Sequence, residues 1–400
     1  MREGWQIRPL GEVCEIYNGG TPSTNIPEYW DGGIQWITPK DMGKSKDMYV
    51  SHCERTISQE GVEHSSTKVL PERSVIVSSR APIGYVAINE VPMATNQGCK
   101  GFVLGKEIYP EFLYYFLLSS TDLLNRLGTG ATFKEVSGKK MAGIELPFPS
   151  LPEQQRIVDI LDREFAEIDA LKANAEKSLQ AAKDLFQATL KKELEPKEGW
   201  KKTCLDDVCN IVGRIGFRGY TRNDIVPSPD DGAISLSPSN IVDGEMRYDK
   251  LTYISWFKYD ESPEIKIFNG DILLVKTGSS YGKSAIIRDL PHEATINPQL
   301  VVLKNIKIDT QYLHFFLSTD NAKNKFDEFV SGTAIPTFSQ RNLGQMEICF
   351  PNPETTLGIV SKLNNLRKRL TSFQENYQKT LTLCDDLKQA LLRKAFNGKL

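Results

Sequence analysis

The sequence predicts an α+β protein made by tandem duplication, in which two mixed α/β domains are joined by two long helices that pair as an antiparallel coiled coil about a pseudo-two-fold axis. Three observations predict it. Blocks of the first half return in order in the second half, each half closes on a long helical stretch, and apolar residues in those stretches recur at 3-4 spacing.

The repeat opens the chain. "GWQIRPLGEVCEI" from Gly4 returns 195 residues later as "GWKKTCLDDVCNI" from Gly199, with Gly, Trp, Val, Cys and Ile in register. "SVIVSSRAPIGYVAI" from Ser74 parallels "ILLVKTGSSYGKSAI" from Ile272, and "ATNQ" from Ala94 parallels "ATINPQ" from Ala294. "IYPEFLYYFLLSS" from Ile108 meets "IDTQYLHFFLSTD" from Ile308, so that Leu113, Phe116 and Leu117 recur as Leu313, Phe316 and Leu317. "GTGATFKEVSGKKMAGIELPFP" from Gly128 meets "VSGTAIPTFSQRNLGQMEICFP" from Val330.

The stretch from Gly270 to Ile287 contains Gly-Lys-Ser, which raises a phosphate-cradling loop and with it an ATP- or GTP-hydrolysing enzyme. That loop needs a glycine five residues before the Gly-Lys and a helix after it. Thr277 holds the glycine position, and Ala285, Ile286 and Ile287 suit a strand. The first copy has Gly84-Tyr85 where the second has Gly282-Lys283, so the lysine is not shared. The stretch therefore reads as a β-hairpin in both copies. The Gly128/Gly130 pair follows a helical pattern and is absent from "SGTAIPTF", so it is no cofactor fingerprint either.

After Pro149 the period becomes helical. Ser150 is the expected cap, Pro152 suits the first turn and Glu153 suits a capping box. The expected seam of the first helix is Ile157, Leu161, Ile168, Leu171 and Leu185, with Ala175 and Ala182 between. In the second helix it is Leu363, Leu366, Leu370, Phe373, Tyr377, Leu387 and Leu391, with Thr380 and Cys384. Only "EPKE" separates the first helix from Gly199, which places the second domain at that helix's far end and requires the second helix to run back. The expected divisions are residues 1–150 and 199–352 for the domains, and 151–198 and 353–400 for the helices. Each helix of about forty residues is on the order of 60 Å long.

Composition narrows the function. The 400 residues are 40% hydrophobic and 25% charged with a net charge of −2, so no overall basic field advertises a partner. No apolar run approaches the ~20 residues that span a bilayer, and "MREGWQIRPL" lacks a signal-peptide core, so a cytoplasmic protein is expected. The seven cysteines form no CxxC, and the four histidines show no metal-ligand spacing, so neither disulfides nor a metal is expected. Two similar domains held apart by helices suit the reading of two half-sites on a DNA duplex.

The candidate DNA-binding residues are polar and basic positions on loops in both copies. In the first copy they are Thr21, Ser23 and Thr24, then Ser78, Ser79 and Arg80 at the hairpin tip, Asn96, Gln97, Thr129, Thr132 and Lys134. In the second copy "VGRIGFRGYTRND" supplies Arg214, Arg218, Tyr220 and Arg222. The hairpin tip supplies Lys276, Thr277, Ser279, Ser280, Tyr281 and Lys283, and Asn297, Gln299, Thr333 and Thr337 complete the set. Short polar and basic side chains on such loops suit phosphates and base edges, and solvated turns are the alternative.

The chain resembles the specificity subunits of type I restriction-modification systems over essentially all its length. The resemblance rests on "GWQIRPLGEVCEIYNGGTP", on "GTGATFKEVSGKKMAGIELPFPSLPEQQRIV", on "LLRKAFNGKL", and on the order domain, helix, domain, helix. The second junction, "PNPETTLGIV", lacks the Gln pair of "PSLPEQQRIV". The resemblance implies two target-recognition domains and two spacer helices in a non-catalytic subunit that binds an asymmetric bipartite site on double-stranded DNA. It implies two methylation subunits bound through the helices and restriction subunits in the full complex, with S-adenosylmethionine and ATP on those partners and no cofactor on this chain. The sequence agrees in that "INPQ" and "PNPE" both lack the second proline and the aromatic of an adenine-methylation loop. A stand-alone two-site DNA-binding regulator is the alternative, and tight specific binding by the isolated chain distinguishes it.

Overall fold

The structure, a computed structural model, describes residues 4–400 apart from residues 46, 81, 131–133, 215 and 332–334 and the side chain of residue 217. The chain divides into two compact units, Met1–Glu176 with Tyr377–Leu400, and Lys177–Asn376.

The first unit is built on two sheets and a two-stranded ribbon. The five-stranded sheet runs Cys14–Asn18, Cys99–Leu104, Val75–Ser78, Val86–Asn89, Tyr49–Val50. The four-stranded sheet runs Thr56–Ile57, Trp30–Ile37, Met93–Thr95, Val69–Leu70, with its central pair parallel. Gln6–Pro9 pairs antiparallel with Glu145–Phe148. Val75, Ile76 and Val77 form an uninterrupted apolar run because both faces of that strand are covered, and all three are fully buried.

The second unit repeats this plan. One four-stranded sheet runs Asn210–Gly213, Leu300–Lys304, Ile272–Val275, Ser284–Ile286, and the other runs Ile225–Val226, Tyr253–Ser255, Gly232–Leu236, Ala294–Ile296, with its last two strands parallel and its central pair antiparallel. Lys201–Cys204 pairs with Glu347–Phe350. Ile272 to Val275 is the buried counterpart of the central strand, and Ser284–Ile286 follows Gly-Lys as a strand antiparallel to it. The hairpin reading of this stretch therefore holds.

The two long helices, Leu151–Leu194 and Pro353–Phe396, have 44 residues each, and each gives one half to either unit. In the first unit Asp169 bonds Lys388 and Lys172 bonds Asp385, so the partner numbers fall as the first rise and the helices are antiparallel. In the second unit Phe186 and Glu193 meet Arg367 and Lys362 in the same sense. The helix ends complete both cores. Phe396 lies 5.2 Å and 5.4 Å from the rings of Phe112 and Phe116, beside Leu392 and Ala395. Phe186, Leu190 and Leu194 do the same beside Tyr312, Leu313 and Phe315. Each such side chain contributes on the order of 2–3 kcal/mol by burial.

Four of the expected seam residues are exposed. Ile157, Leu161, Ile168 and Leu363 are buried and Leu366, Leu370, Tyr377 and Leu391 half-buried, whereas Leu171, Leu185, Phe373 and Leu387 are 56%, 59%, 48% and 48% exposed. At each of these the seam steps by four instead of three, to Lys172, Phe186, Gln374 and Lys388. Lysine fills such a position with its methylene stem while its ammonium reaches a carboxylate at the edge. The Lys388 ammonium lies 4.8 Å from the centre of the Phe165 ring and bonds Asp169 at 2.6 Å.

The two helix starts differ. Gln154, fully buried, accepts from the Tyr109 N–H at 2.8 Å and donates to the carbonyls of Glu107 and Pro149, while Glu153 pairs with Arg156. At the second junction Asn352 caps instead, its side-chain oxygen accepting from the Thr355 N–H at 2.9 Å.

Candidate nucleic-acid interface

In the first unit four chain segments meet beyond the end of the strand Val75–Ser78. The N–H groups of Ser79 and Arg80 both donate to the Gly98 carbonyl, at 2.7 Å and 3.3 Å, and Val136 N–H donates to the Ser79 carbonyl at 3.0 Å. Thr129 and Glu135 exchange two backbone bonds at 3.0 Å and 2.9 Å. The loop after Asn18 is drawn in by Gly19 N–H to Cys99 and Gly20 N–H to Thr95, and the Thr21 hydroxyl donates to the Gln97 side chain. A Cβ on Gly19 would sit 1.8 Å from the Asn96 carbonyl oxygen, so only glycine allows this approach.

One carboxylate ties the segments together. Glu135 accepts from Arg80 at 2.8 Å and from Lys100 at 3.1 Å, and only 5% of the Lys100 side chain is exposed. Burial opposes ionisation of the Glu135 carboxyl, but the two cationic donors outweigh it and hold its pKa below the ordinary value.

The second unit makes the same junction with other side chains. The N–H groups of Lys276 and Thr277 donate to the Gln299 carbonyl at 2.8 Å and 3.3 Å, and Phe338 N–H donates to the Lys276 carbonyl at 3.2 Å. Where Arg80 meets Glu135, Thr277 meets Thr337, hydroxyl to hydroxyl at 2.8 Å. These bonds make Lys276 the counterpart of Ser79 and Thr277 that of Arg80, one step from the register the sequence repeat implies. The tip of the second hairpin is longer by one residue, because Gly84 N–H reaches back to the Ser78 carbonyl and Gly282 N–H to that of Val275.

The candidates separate by burial. Thr21, Ser23, Thr24, Arg80, Gln97, Thr129 and Lys134 are exposed in the first unit, and Asn96 is half-buried. Ser78 and Ser79 are fully buried, with hydroxyls bonded to the carbonyls of Pro82 and Gly98, so they frame the tip and do not face a ligand. In the second unit Arg222, Ser279, Lys283 and Gln299 are exposed, and Thr277, Ser280, Asn297 and Thr337 are half-buried. Tyr281 spends its hydroxyl on Asp327 at 2.6 Å. Lys276 is half-buried with no carboxylate partner among the described residues, and burial lowers its pKa. Thr132 and Thr333 lie outside the described residues.

Arg214 is also placed differently from its expected role. It is 5% exposed, and its guanidinium donates to the Ile296 carbonyl, the Arg218 carbonyl and the Thr295 hydroxyl. It braces the 214–220 loop against the Ala294–Ile296 strand because a buried cation must have its donors satisfied. Arg218 donates to the Glu261 carbonyl at 3.2 Å and lies 3.7 Å from Glu264. Tyr220, half-buried, accepts from the Ser235 hydroxyl at 2.9 Å.

Sequence reasoning missed Glu135 and Lys100, since a pair 35 residues apart has no local signal. Among the described residues no group of three or more His, Cys, Asp or Glu side chains could hold a metal ion, and no helix is long and apolar enough to cross a membrane.

Comparison with known proteins places these units. The family model for the type I restriction modification DNA specificity domain matches residues 2–181 and again 197–383. The MjaIX type I restriction enzyme specificity subunit of Methanocaldococcus jannaschii is 27% identical over 99% of this chain and 93% of its own length. Among solved structures, a chain of a type I R-M system, studied for complex assembly and conformational transition, superimposes with a TM-score of 0.79 at 18% identity, covering 100% of this chain and 99% of that one. The HsdS subunit of Thermoanaerobacter tengcongensis gives a TM-score of 0.58 at 18% identity over 100% and 98%. Both are likenesses of fold.

Proposed function

Because the chain belongs to the type I restriction-modification DNA specificity family and carries two copies of its domain, we propose that it is the DNA-recognition subunit of such a system, each unit reading one half of an asymmetric, interrupted duplex target. One observation carries the reading. Both units build the same three-segment junction on the same backbone bonds, yet equip it differently, with Arg80, Glu135 and Lys100 in one and Thr277, Thr337 and Lys276 in the other. A shared scaffold with unlike tips is what two different half-sites require.

In this reading residues 1–150 and 199–352 are the target-recognition domains, and residues 151–198 and 353–400 are spacer helices that bind two methylation subunits and, through them, the restriction subunits. Catalysis, S-adenosylmethionine and ATP belong to those partners, the chain holds no cofactor of its own, and the complex works in the cytoplasm.

The test is a genome-wide map of methylated adenines in the native host with this gene intact and deleted. Loss of methylation at one two-part motif in the deletion supports the proposal. An unchanged map, with tight specific DNA binding by the isolated chain, supports a stand-alone regulator instead. In the assembled complex, Lys134→Ala and Lys283→Ala should each weaken binding evenly across sequences and lower the salt slope by about 0.9. An unchanged affinity and slope in both would remove the loops that carry Lys134 and Lys283 from the interface.

A further inference from the structure

The loop that carries Thr21, Ser23 and Thr24 is held by two buried indoles. Trp36 donates to the Gly20 carbonyl at 3.0 Å and Trp30 donates to the Ser23 carbonyl at 3.1 Å. The rings pack edge to face with centroids 5.1 Å apart, and they are 5% and 8% exposed. Over them lies Arg55, immediately before the edge strand Thr56–Ile57. Its guanidinium carbon is 3.5 Å from the centre of the Trp30 ring and 5.9 Å from that of Trp36, and its carbonyl accepts from the Trp36 N–H at 3.2 Å.

Arg55 is exposed, and among the described residues no carboxylate or carbonyl takes its donors. The adjacent Glu54 is already engaged, 3.2 Å from Lys40 and 2.6 Å from Lys44. Stacking uses the face of a guanidinium and leaves its in-plane N–H groups free, and it fixes the plane of the fork before any ligand arrives. A guanidinium held in one plane is matched to two acceptors lying in that plane, which guanine offers in O6 and N7 and a phosphate in two oxygens, and only the base contact carries sequence information. The second unit has Thr252 at this place, its carbonyl accepting from Ser235 N–H at 2.8 Å as that of Arg55 does from Trp36. The feature therefore belongs to one reading surface and not to the shared scaffold.

We propose that Arg55 is a specificity-determining residue of the first unit, whose Trp-stacked guanidinium reads a guanine through its major-groove O6 and N7 acceptors. The inference rests on the DNA-recognition reading above. The test is selection from a random duplex library by the chain assembled with its methylation subunits, as wild type, Arg55→Lys and Arg55→Ala. Both variants should relax the preference at one G·C pair of one half-motif, lower affinity for the wild-type target by about 5- to 150-fold, and leave the other half-motif intact. Lysine should not rescue, because it lacks the fork. An even loss across all sequences with a smaller salt slope would make Arg55 a phosphate contact and overturn the assignment, as would an unchanged motif. Thermal unfolding of each variant separates these results from loss of fold. A wild-type complex that selects no motif would refute the DNA-recognition reading itself.

Discussion

Replacing Glu135 by glutamine should destabilise the first unit by about 2 kcal/mol at neutral pH. Lys100 is the reason, for its ammonium is almost wholly withdrawn from water and Glu135 is its hydrogen-bonding partner. Removing one member of a fully buried pair costs about 3–5 kcal/mol. Here 30% of the Glu135 side chain is exposed, and the amide oxygen of glutamine can still accept, so the lower figure applies. For a unit of this size about 2 kcal/mol corresponds to roughly 4–8 °C in Tm. Calorimetry on the wild type, Glu135→Gln, Lys100→Met and the double variant closes a thermodynamic cycle, and the coupling should exceed about 1 kcal/mol. The pH dependence supplies a second arm. The folded pKa of Glu135 lies below its ordinary value of 4.5, so the unfolded chain binds more protons between the two. Its contribution is therefore complete above 4.5 and disappears as pH falls through the lower folded value. The gap between wild type and Glu135→Gln should close on acidification. A gap at pH 7 under about 0.5 kcal/mol, which is the range of an ordinary surface substitution, or one that persists in acid, would refute the argument.

Two further predictions concern the second unit and the helix pair. His314 is 1% exposed, bonded to the Ser284 carbonyl at 3.1 Å, and its pKa is lowered to about 3 by burial and by the nearby Arg367 and Arg288 charges. Its ring should show no titration in NMR spectra between pH 5 and 8. Stability should fall as pH drops from the ordinary histidine value of 6.5 toward 3, a loss smaller in His314→Gln, and a titration near 6.5 would contradict the burial argument. In the helix pair, Lys172→Glu should weaken the first unit by about 0.5–1 kcal/mol at low salt and Asp385→Lys should restore part of it, because both pairs lie at the solvent edge. Equal effects at about 0.05 M and 1 M salt would show that packing, not charge, is at work.

The duplication and the helix pair were legible because they rest on order and period, which survive sequence change. The hairpin was legible for the same reason, since a phosphate loop cannot be followed by Ser284–Ile286 as a strand. What escaped depended on contacts between distant residues. Leu171, Leu185, Phe373 and Leu387 look like seam residues when apolarity alone is counted, but a helix turning at 3.6 residues passes the seam to the next position, and a lysine stem can fill it. Arg214 looks like a phosphate contact until the Thr295 and Ile296 acceptors are seen beside it. Ser78 and Ser79 lie at a polar tip by sequence and inside it by hydrogen bonding. Arg55 gave no signal at all, because the two tryptophans beneath it belong to another strand, Trp30–Ile37, and only the sheet brings them under it.

The composition of the first unit bears on how such genes can exchange parts. Its core takes Leu392, Ala395 and Phe396 from the last turns of the chain, and the Leu400 carbonyl accepts from Arg156 at 3.0 Å. A crossover within the first long helix would therefore transplant a reading surface while leaving behind three of the side chains that seal it. Successful chimaeras should be those whose donor and recipient agree over the closing segment Tyr377–Leu400 as well as at the crossover. A nonsense mutation there would silence the half-site encoded at the opposite end of the gene.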